Sequence, residues 1–137
     1  MAAYFSAHCH WRVEKLDVGD YMMEGGTITI DRKQNLDELA KNLTNPADHA
    51  RFMREVRRAR EKGLKLIVLC ECGGKVKSIP DIAGWRSKYS PVTGRYIMER
   101  IYQVHISYGV EFLFCDKRST PGKILELLGI KKIDKNI

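Results

Sequence analysis

The chain lacks the features that would assign it to a membrane, secreted or repetitive class of protein. No apolar run approaches the roughly 20 residues of a membrane-spanning helix, so we expect no membrane partner. No basic segment followed by an apolar one opens the chain, which favours a cytoplasmic, intracellular location. Internal repeats, low-complexity tracts and an evident linker are also lacking, and 137 residues predict a single domain over 1–137.

Cysteine is scarce, and its four positions predict no disulfide framework. Cys70 and Cys115 end apolar, strand-like runs, so we expect both to be reduced and buried. A zinc site built from Cys9, His10, Cys70 and Cys72 is an alternative. It is the weaker one, because paired zinc ligands are usually separated by two to four residues, more than the single residue in Cys70-x-Cys72.

Hydrophobic periodicity and turn residues predict alternating helices and strands after an N-terminal β-hairpin. The hairpin turns at Gly25-Gly26, and its first strand could extend back to Arg12. We predict helices over 36–43, 46–62, 93–108 and 120–128, strands over 64–70 and 110–115, and a long loop over 73–92. This order predicts an α/β domain in which helices cover a mixed sheet.

The hairpin carries the most informative charges in the chain. A two-residue turn would pair Met22 with Thr29 and place Asp20 directly opposite Asp31. Lys33 shares the face of Asp31, whereas Arg32 points to the other face. Because opposed like charges are destabilising, such a pair is most readily kept if a cation lies between the carboxylates. Mg²⁺ suits this role, since it often takes only one or two carboxylates from the protein.

Two carboxylates and a lysine on one face meet the needs of phosphodiester hydrolysis. A metal ion held by Asp20 and Asp31 would lower the pKa of bound water and neutralise phosphate charge. Lys33 could contact the attacking water or the developing negative charge. The alternative, a solvent-facing hairpin with scattered charges, stays open on this pattern alone.

The motif resembles that of a known nuclease family. Gly19-Asp20-Tyr21, then Asp31-Arg32-Lys33, and then Asp37 four positions later are similar to the motif of XPF-type structure-specific endonucleases, which belong to the PD-(D/E)XK group. The similarity covers roughly residues 16–129. It implies a restriction-endonuclease-like fold: a mixed central sheet with flanking helices and an N-terminal β-hairpin that carries the site.

The resemblance also implies an activity, namely Mg²⁺- or Mn²⁺-dependent cleavage of branched or flap-like DNA. Asp20 and Asp31 would be the metal ligands and Lys33 would help to activate water. Arg32 and Asp37 would support the site. Glu71 ends the next strand and is either part of the site or a solvent-exposed carboxylate. A homodimer is a further implication, and a stand-alone nuclease of this kind suggests a bacterial or viral setting.

Two departures from the family pattern leave a second function open. The family's motif glutamate is Asp31 here, one methylene shorter. Residues 1–19 contain no Asp-x-Arg-Glu segment, which family members place on an N-terminal strand beside the active site. The alternative is therefore a catalytically impaired DNA-binding or dimerisation module of the same fold.

Basic residues predict a nucleic-acid partner. Lys and Arg number 24 against 17 Asp and Glu, a net charge of +7 that suits a polyanion such as DNA. The predicted DNA-binding residues are three arginines on one helix face and two cations in the long loop: Arg51, Arg54, Arg58, Arg86 and Lys88. The alternatives are a solvated face paired with Glu55 and Glu61, and loop aromatics that pack on their own domain.

Overall fold

A computed structural model describes residues 1–131 of the chain, so the last six residues of the predicted domain lie outside the described residues. The helices are α1 (Ala2–His8), α2 (Leu36–Thr44), α3 (Pro46–Glu61), α4 (Gly94–Tyr108) and α5 (Thr120–Leu127), with a short 3₁₀ helix at Ile79–Gly84. The strands are β1 (Tyr21–Met22), β2 (Ile28–Lys33), β3 (Lys65–Glu71) and β4 (Glu111–Cys115). This arrangement confirms the predicted α/β class.

The sheet is mixed, with the strand order β1-β2-β3-β4. Strand β1 pairs antiparallel to β2, with Met22 opposite Thr29 as the hairpin register predicted. Strands β2, β3 and β4 run parallel, so Asp31 lies beside Val68 and Lys33 beside Cys70. The pairing of β2 with β3 therefore places Lys33, the last residue of the Asp31-Arg32-Lys33 motif, next to the end of β3. Strand β3 is buried on both faces.

Helices cover both faces of the sheet, which divides the core in two. On one face α2, α3 and α4 bury Leu39, Val56 and Ile101 against Val68. On the other face α1 and α5 bury Phe5 and Ile124 against Ile30 and Leu69. Because side chains alternate along a strand, Asp31 and Lys33 point to the α2/α3/α4 face and Arg32 points to the α1/α5 face.

Local capping residues account for the helix boundaries that the sequence predicted. The Asn35 side chain accepts a hydrogen bond from the Glu38 amide at 2.8 Å, which begins α2. Thr93 caps α4 in the same way, and Gly109 ends that helix in the left-handed region at φ 71°. Pro46 opens α3 at a position where its missing amide proton costs nothing.

The N-terminal segment differs from its prediction. Residues 2–8 form α1, and no strand extends back to Arg12, because β1 contains only Tyr21 and Met22. The hairpin turn is also wider than two residues: the Gly26 amide donates to the Met23 carbonyl at 2.8 Å, and Gly25 takes the positive φ. The predicted long loop over 73–92 contains one regular element that the sequence interpretation did not include, the 3₁₀ helix at Ile79–Gly84.

No helix within residues 1–131 has the length and apolar character that crossing a bilayer requires.

Candidate active site

Asp31 and Lys33 form a buried ion pair at the end of β2. Asp31 is 7% exposed and Lys33 is 8% exposed, and Lys33 Nζ lies 3.1 Å from Asp31 Oδ2. Lys33 Nζ also approaches the Asn42 Oδ1 of α2 at 3.4 Å, which fixes the ammonium over the sheet. Charged groups are rarely buried this deeply unless they are paired, and the pair is seldom kept for stability alone.

Asp20 reaches the same region from the neighbouring edge of the hairpin. Its amide donates to the carbonyl of Ile30, the residue that pairs with Tyr21, at 2.7 Å, so the regular pairing of β1 with β2 is not continued to an Asp20–Asp31 pair. Its Oδ2 accepts a hydrogen bond from the Arg32 amide at 2.8 Å. The exposed Asp20 carboxylate lies close enough to Asp31 to raise the pKa of the buried acid. Asp20 thus acts electrostatically on Asp31, and its role as a metal ligand stays a prediction.

Gly19 explains why the motif places a glycine before Asp20. Its φ is +72°, and a Cβ at this position would lie 2.2 Å from Thr29 Oγ1. Thr29 in turn donates a hydrogen bond from Oγ1 to the Val18 carbonyl at 2.7 Å. Only glycine tolerates both the backbone conformation and the close approach to β2, so Gly19 sets the position of Asp20.

Glu55 of α3 joins these residues, and the sequence interpretation missed it. Asp31, Lys33 and Asp20 all influence the pKa of the Glu55 carboxyl group, which places Glu55 near them. Its Oε1 is buried and has no hydrogen-bond partner within the described residues. A signal was available, because Glu55 falls at the i+3 position of the apolar stripe that contains Phe52 and Val56. Glu55 is half-buried, so its position beside the stripe indicates which side of α3 it lies on but not which residues it meets.

Burial dominates the electrostatics of this cluster. It raises the pKa of Asp31 to about 8, an effect that Lys33 opposes and that Glu55 and Asp20 reinforce. Burial likewise raises the pKa of Glu55, while its contact with Asp31 acts in the opposite direction. Adjacent carboxyl groups titrate as one system, since they cannot both ionise at low cost without a compensating cation.

Arg32 lies on the opposite face of β2, as its alternation predicted. It forms an ion pair through Nε with Glu71 Oε1 at the end of β3. Glu71 is 4% exposed, so its interpretation as a solvent-exposed carboxylate was wrong. Glu71 Oε2 has no hydrogen-bond partner within residues 1–131. The Arg32–Glu71 ion pair thus links β2 and β3 on the α1/α5 face of the sheet. Asp31 and Lys33 lie on the α2/α3/α4 face.

Asp37 lies in the first turn of α2 and binds the segment that follows the 3₁₀ helix. Its Oδ1 accepts a hydrogen bond from Ser87 Oγ. Ser87 lies between Arg86 and Lys88, both of which are exposed. The structure therefore connects Asp37 with the predicted DNA-binding loop.

Comparison with known proteins assigns the family. A sequence model of the ERCC4 domain matches residues 4–128. The chain belongs to the ERCC4 domain family. Its fold is similar to that of XPF from Aeropyrum pernix, with a TM-score of 0.59 and 20% identity over 85% of this chain and 52% of that chain. The chain thus spans about half the length of that structure. Comparison with curated proteins gives no match.

The predicted resemblance to XPF-type nucleases is confirmed by these matches. ERCC4 membership suggests the family of structure-specific endonucleases, and the activity of this chain itself is a matter for proposal. The mixed sheet with helices on both faces agrees with the fold that the resemblance implied.

The donor chemistry of this ERCC4 domain fits a hard divalent cation. The converging groups are carboxylates, the oxygen ligands that Mg²⁺ and Mn²⁺ prefer, and Glu55 Oε1 is a buried acceptor that lacks a donor. Among residues 1–131 no three His, Cys, Asp or Glu side chains are grouped tightly enough to enclose an ion as placed. Lys33 Nζ lies against Asp31 instead, so the cluster already holds one positive charge.

The predicted basic stripe of α3 divides into separate environments in this ERCC4 domain. Arg51 pairs with Asp48, and Arg58 is close enough to Glu55 to act on its ionisation. Arg54 instead lines a groove of about 600 Å³ between α3 and α4, together with Arg57 and Arg100. Arg54, Arg86 and Lys88 are thus better placed to meet a phosphate backbone than Arg51.

The zinc alternative is not supported by the positions of its ligands. Cys9 is buried in the α1/α5 core, whereas Cys70 is buried in the α2/α3/α4 core on the other face of the sheet. Burial raises the pKa of Cys70 far above its usual value, which disfavours the thiolate that zinc binding needs.

Proposed function

We propose that this ERCC4 domain is a Mg²⁺- or Mn²⁺-dependent endonuclease that hydrolyses phosphodiester bonds in branched or flap-like DNA. One observation supports the proposal: Asp20 Oδ2 accepts a hydrogen bond at 2.8 Å from the amide of Arg32, the residue between Asp31 and Lys33, and Lys33 Nζ lies 3.1 Å from Asp31 Oδ2. Membership of a family of structure-specific endonucleases supports the same activity.

The residues of the site have separable roles in this proposal. Asp20 and Asp31 would hold the cation, which supplies an activated water and neutralises phosphate charge when bound. Lys33 places a positive charge beside them, held from the α2 side by Asn42 Oδ1 at 3.4 Å. From there its ammonium can donate a hydrogen bond to the water or to a phosphate oxygen as negative charge develops.

Cleavage of branched DNA tests the site directly. With Mg²⁺ or Mn²⁺ present, we expect Asp31→Ala to lower the nicking rate by about a hundredfold or more, because it removes a metal ligand. Asp17→Ala is the matched control, since Asp17 is exposed and pairs only at the surface with Lys62. The rate is measured on a labelled flap substrate, with circular dichroism to verify folding.

Equal nicking by the wild-type protein and Asp31→Ala would rule out this site. Salt-sensitive DNA binding by the wild type without binding of Mg²⁺ or Mn²⁺ would instead identify the catalytically impaired DNA-binding or dimerisation module. The homodimer that the resemblance implied stays a prediction.

DNA binding is expected to depend on the exposed cations of the loop that Asp37 anchors. We expect Arg86→Ala and Lys88→Ala each to weaken binding about uniformly across sequences and to reduce the salt slope by about one unit. Arg54→Ala should act in the same way if the groove between α3 and α4 contacts the backbone. Lys62→Ala is the control, because Lys62 already pairs with Asp17. Fluorescence anisotropy at several salt concentrations measures the slope, and unchanged slopes would contradict the prediction.

A further inference from the structure

Glu55 occupies a position on α3 where an acidic side chain is costly. Its neighbours on the core-facing stripe are Phe52, Val56 and Ala59, all less than 4% exposed. Its Oε1 is itself buried and has no hydrogen-bond partner within the described residues. A buried acceptor without a donor costs about 1–3 kcal/mol, so its retention calls for a ligand that is not part of the fold.

The surroundings of Glu55 indicate what kind of ligand is missing. Asp31 and Asp20 bring two more carboxylates to the same place, and the buried cation opposite them is Lys33. Arg58 contributes from one turn further along α3, but it is exposed and acts more weakly on Glu55 than Asp31, Lys33 and Asp20 do. One ammonium cannot compensate three ionised carboxyl groups, and a divalent cation would supply the positive charge that lets all three ionise together.

We propose that Glu55 is a third carboxylate ligand of the divalent cation, reaching the site from α3 while Asp20 and Asp31 reach it from the hairpin. The inference rests on the proposed function and deepens it. A carboxylate has two acceptor oxygens, so Asp31 can keep its Oδ2 3.1 Å from Lys33 Nζ while Oδ1 coordinates the ion. Lys33, which is also 3.4 Å from Asn42 Oδ1, would then lie beside the ion, where its ammonium can donate to a phosphate oxygen.

Metal affinity tests this assignment without any need for catalysis. Isothermal titration with Mn²⁺ is carried out on the wild type, Glu55→Gln, Glu55→Asp and Asp31→Ala. The control is Glu61→Gln, which changes an exposed glutamate at the end of the same helix. Even a group that only orients a ligand changes metal affinity by about 10- to 100-fold, so we expect Glu55→Gln to weaken Mn²⁺ binding at least about tenfold. Glu55→Asp should lie between Glu55→Gln and the wild type, and Glu61→Gln should bind as the wild type does.

A second readout separates a ligand from a residue that only positions one. Terbium luminescence lifetimes in H₂O and D₂O count the water molecules on a bound Tb³⁺ ion. Loss of a carboxylate ligand is expected to add about one water in Glu55→Gln, whereas loss of a positioning contact would leave the count unchanged and overturn the assignment. In EDTA, Glu55→Gln should fold at least as stably as the wild type, because it removes an acid that burial disfavours.

The outcomes distinguish this inference from the proposed function. If Asp31→Ala loses Mn²⁺ binding and cleavage while Glu55→Gln keeps the wild-type affinity, Glu55 is not a ligand but the endonuclease site stands. If neither substitution affects affinity or cleavage, both proposals fail. Unfolding of Glu55→Gln in EDTA would show that Glu55 serves the fold, and it would also overturn the inference.

Discussion

Asp31→Asn is expected to stabilise the folded domain in EDTA at pH 8.5 by about 2–4 kcal/mol, although the same change should abolish metal-dependent cleavage. Burial raises the pKa of Asp31 to about 8, so ionising this acid in the folded protein is costly. Asparagine has nearly the same shape and carries no charge. Lys33 keeps an anionic neighbour in the variant, because Glu55 also interacts with it.

The effect should depend on pH in one direction. The folded pKa of Asp31 lies above the value of about 3.9 expected in the unfolded chain, so the folded protein binds this proton more tightly. Wild-type stability therefore falls as pH rises from about 4 to about 8, and the full penalty is present above that range. The gain from Asp31→Asn should be small near pH 4 and largest above pH 8.

Urea unfolding at pH 4.5, 6.5 and 8.5 measures this difference. Asp17→Asn is the control, since an exposed aspartate should change stability by no more than about 0.5 kcal/mol. Addition of Mn²⁺ should then stabilise the wild type and leave Asp31→Asn unchanged, because only the wild type gains binding free energy. If Asp31→Asn is less stable than the wild type at pH 8.5, the ionised Asp31 carboxylate does not destabilise the fold and the prediction is wrong.

The sequence predicted those features of the fold that depend on neighbouring residues. Asn35, Pro46 and Thr93 fix helix starts through their own backbone and side-chain geometry, and each begins a helix as predicted. The hairpin register also followed from a short turn, because glycine takes the positive φ that the turn requires at Gly25. Helix α1 was missed: Met1 makes no side-chain cap, and only Phe5 is buried.

The candidate site was predicted only as far as the hairpin reaches. Asp20, Asp31 and Lys33 are close in sequence and are joined by a single turn, so the sequence alone predicts that they lie in the same hairpin. Glu55 joins them through the packing of α3 on the sheet, a contact that local patterns do not define. The position of Glu71 likewise depended on the strand pairing of β2 with β3, which brings Arg32 next to Leu69 and within reach of Glu71.

Arg32→Leu should destabilise the domain by about 3–5 kcal/mol, more than most single substitutions. Glu71 is 4% exposed, and its Oε2 has no hydrogen-bond partner within residues 1–131. Arg32 is the cation that pairs with its Oε1. Without Arg32, a carboxylate would remain in the α1/α5 core with neither solvent nor a cation to offset its burial. The expected loss of cleavage would therefore follow from unfolding, since Arg32 points away from Asp31 and Lys33.

A second substitution separates this structural role from the supporting role at the active site that the family resemblance implies. Arg32→Leu combined with Glu71→Leu removes both charges, and we expect it to recover most of the lost stability, because an apolar pair is often as stable as a buried ion pair. Arg12→Leu is the control for losing an ion pair: Arg12 pairs with Glu14 and Glu24 at the surface, where solvent screens the charges and we expect little change in stability. Urea unfolding and flap cleavage are measured on the same preparations. If Arg32→Leu keeps the wild-type stability and loses cleavage, or if the double variant regains stability without cleavage, Arg32 contributes to the reaction through the hairpin and not only through the fold.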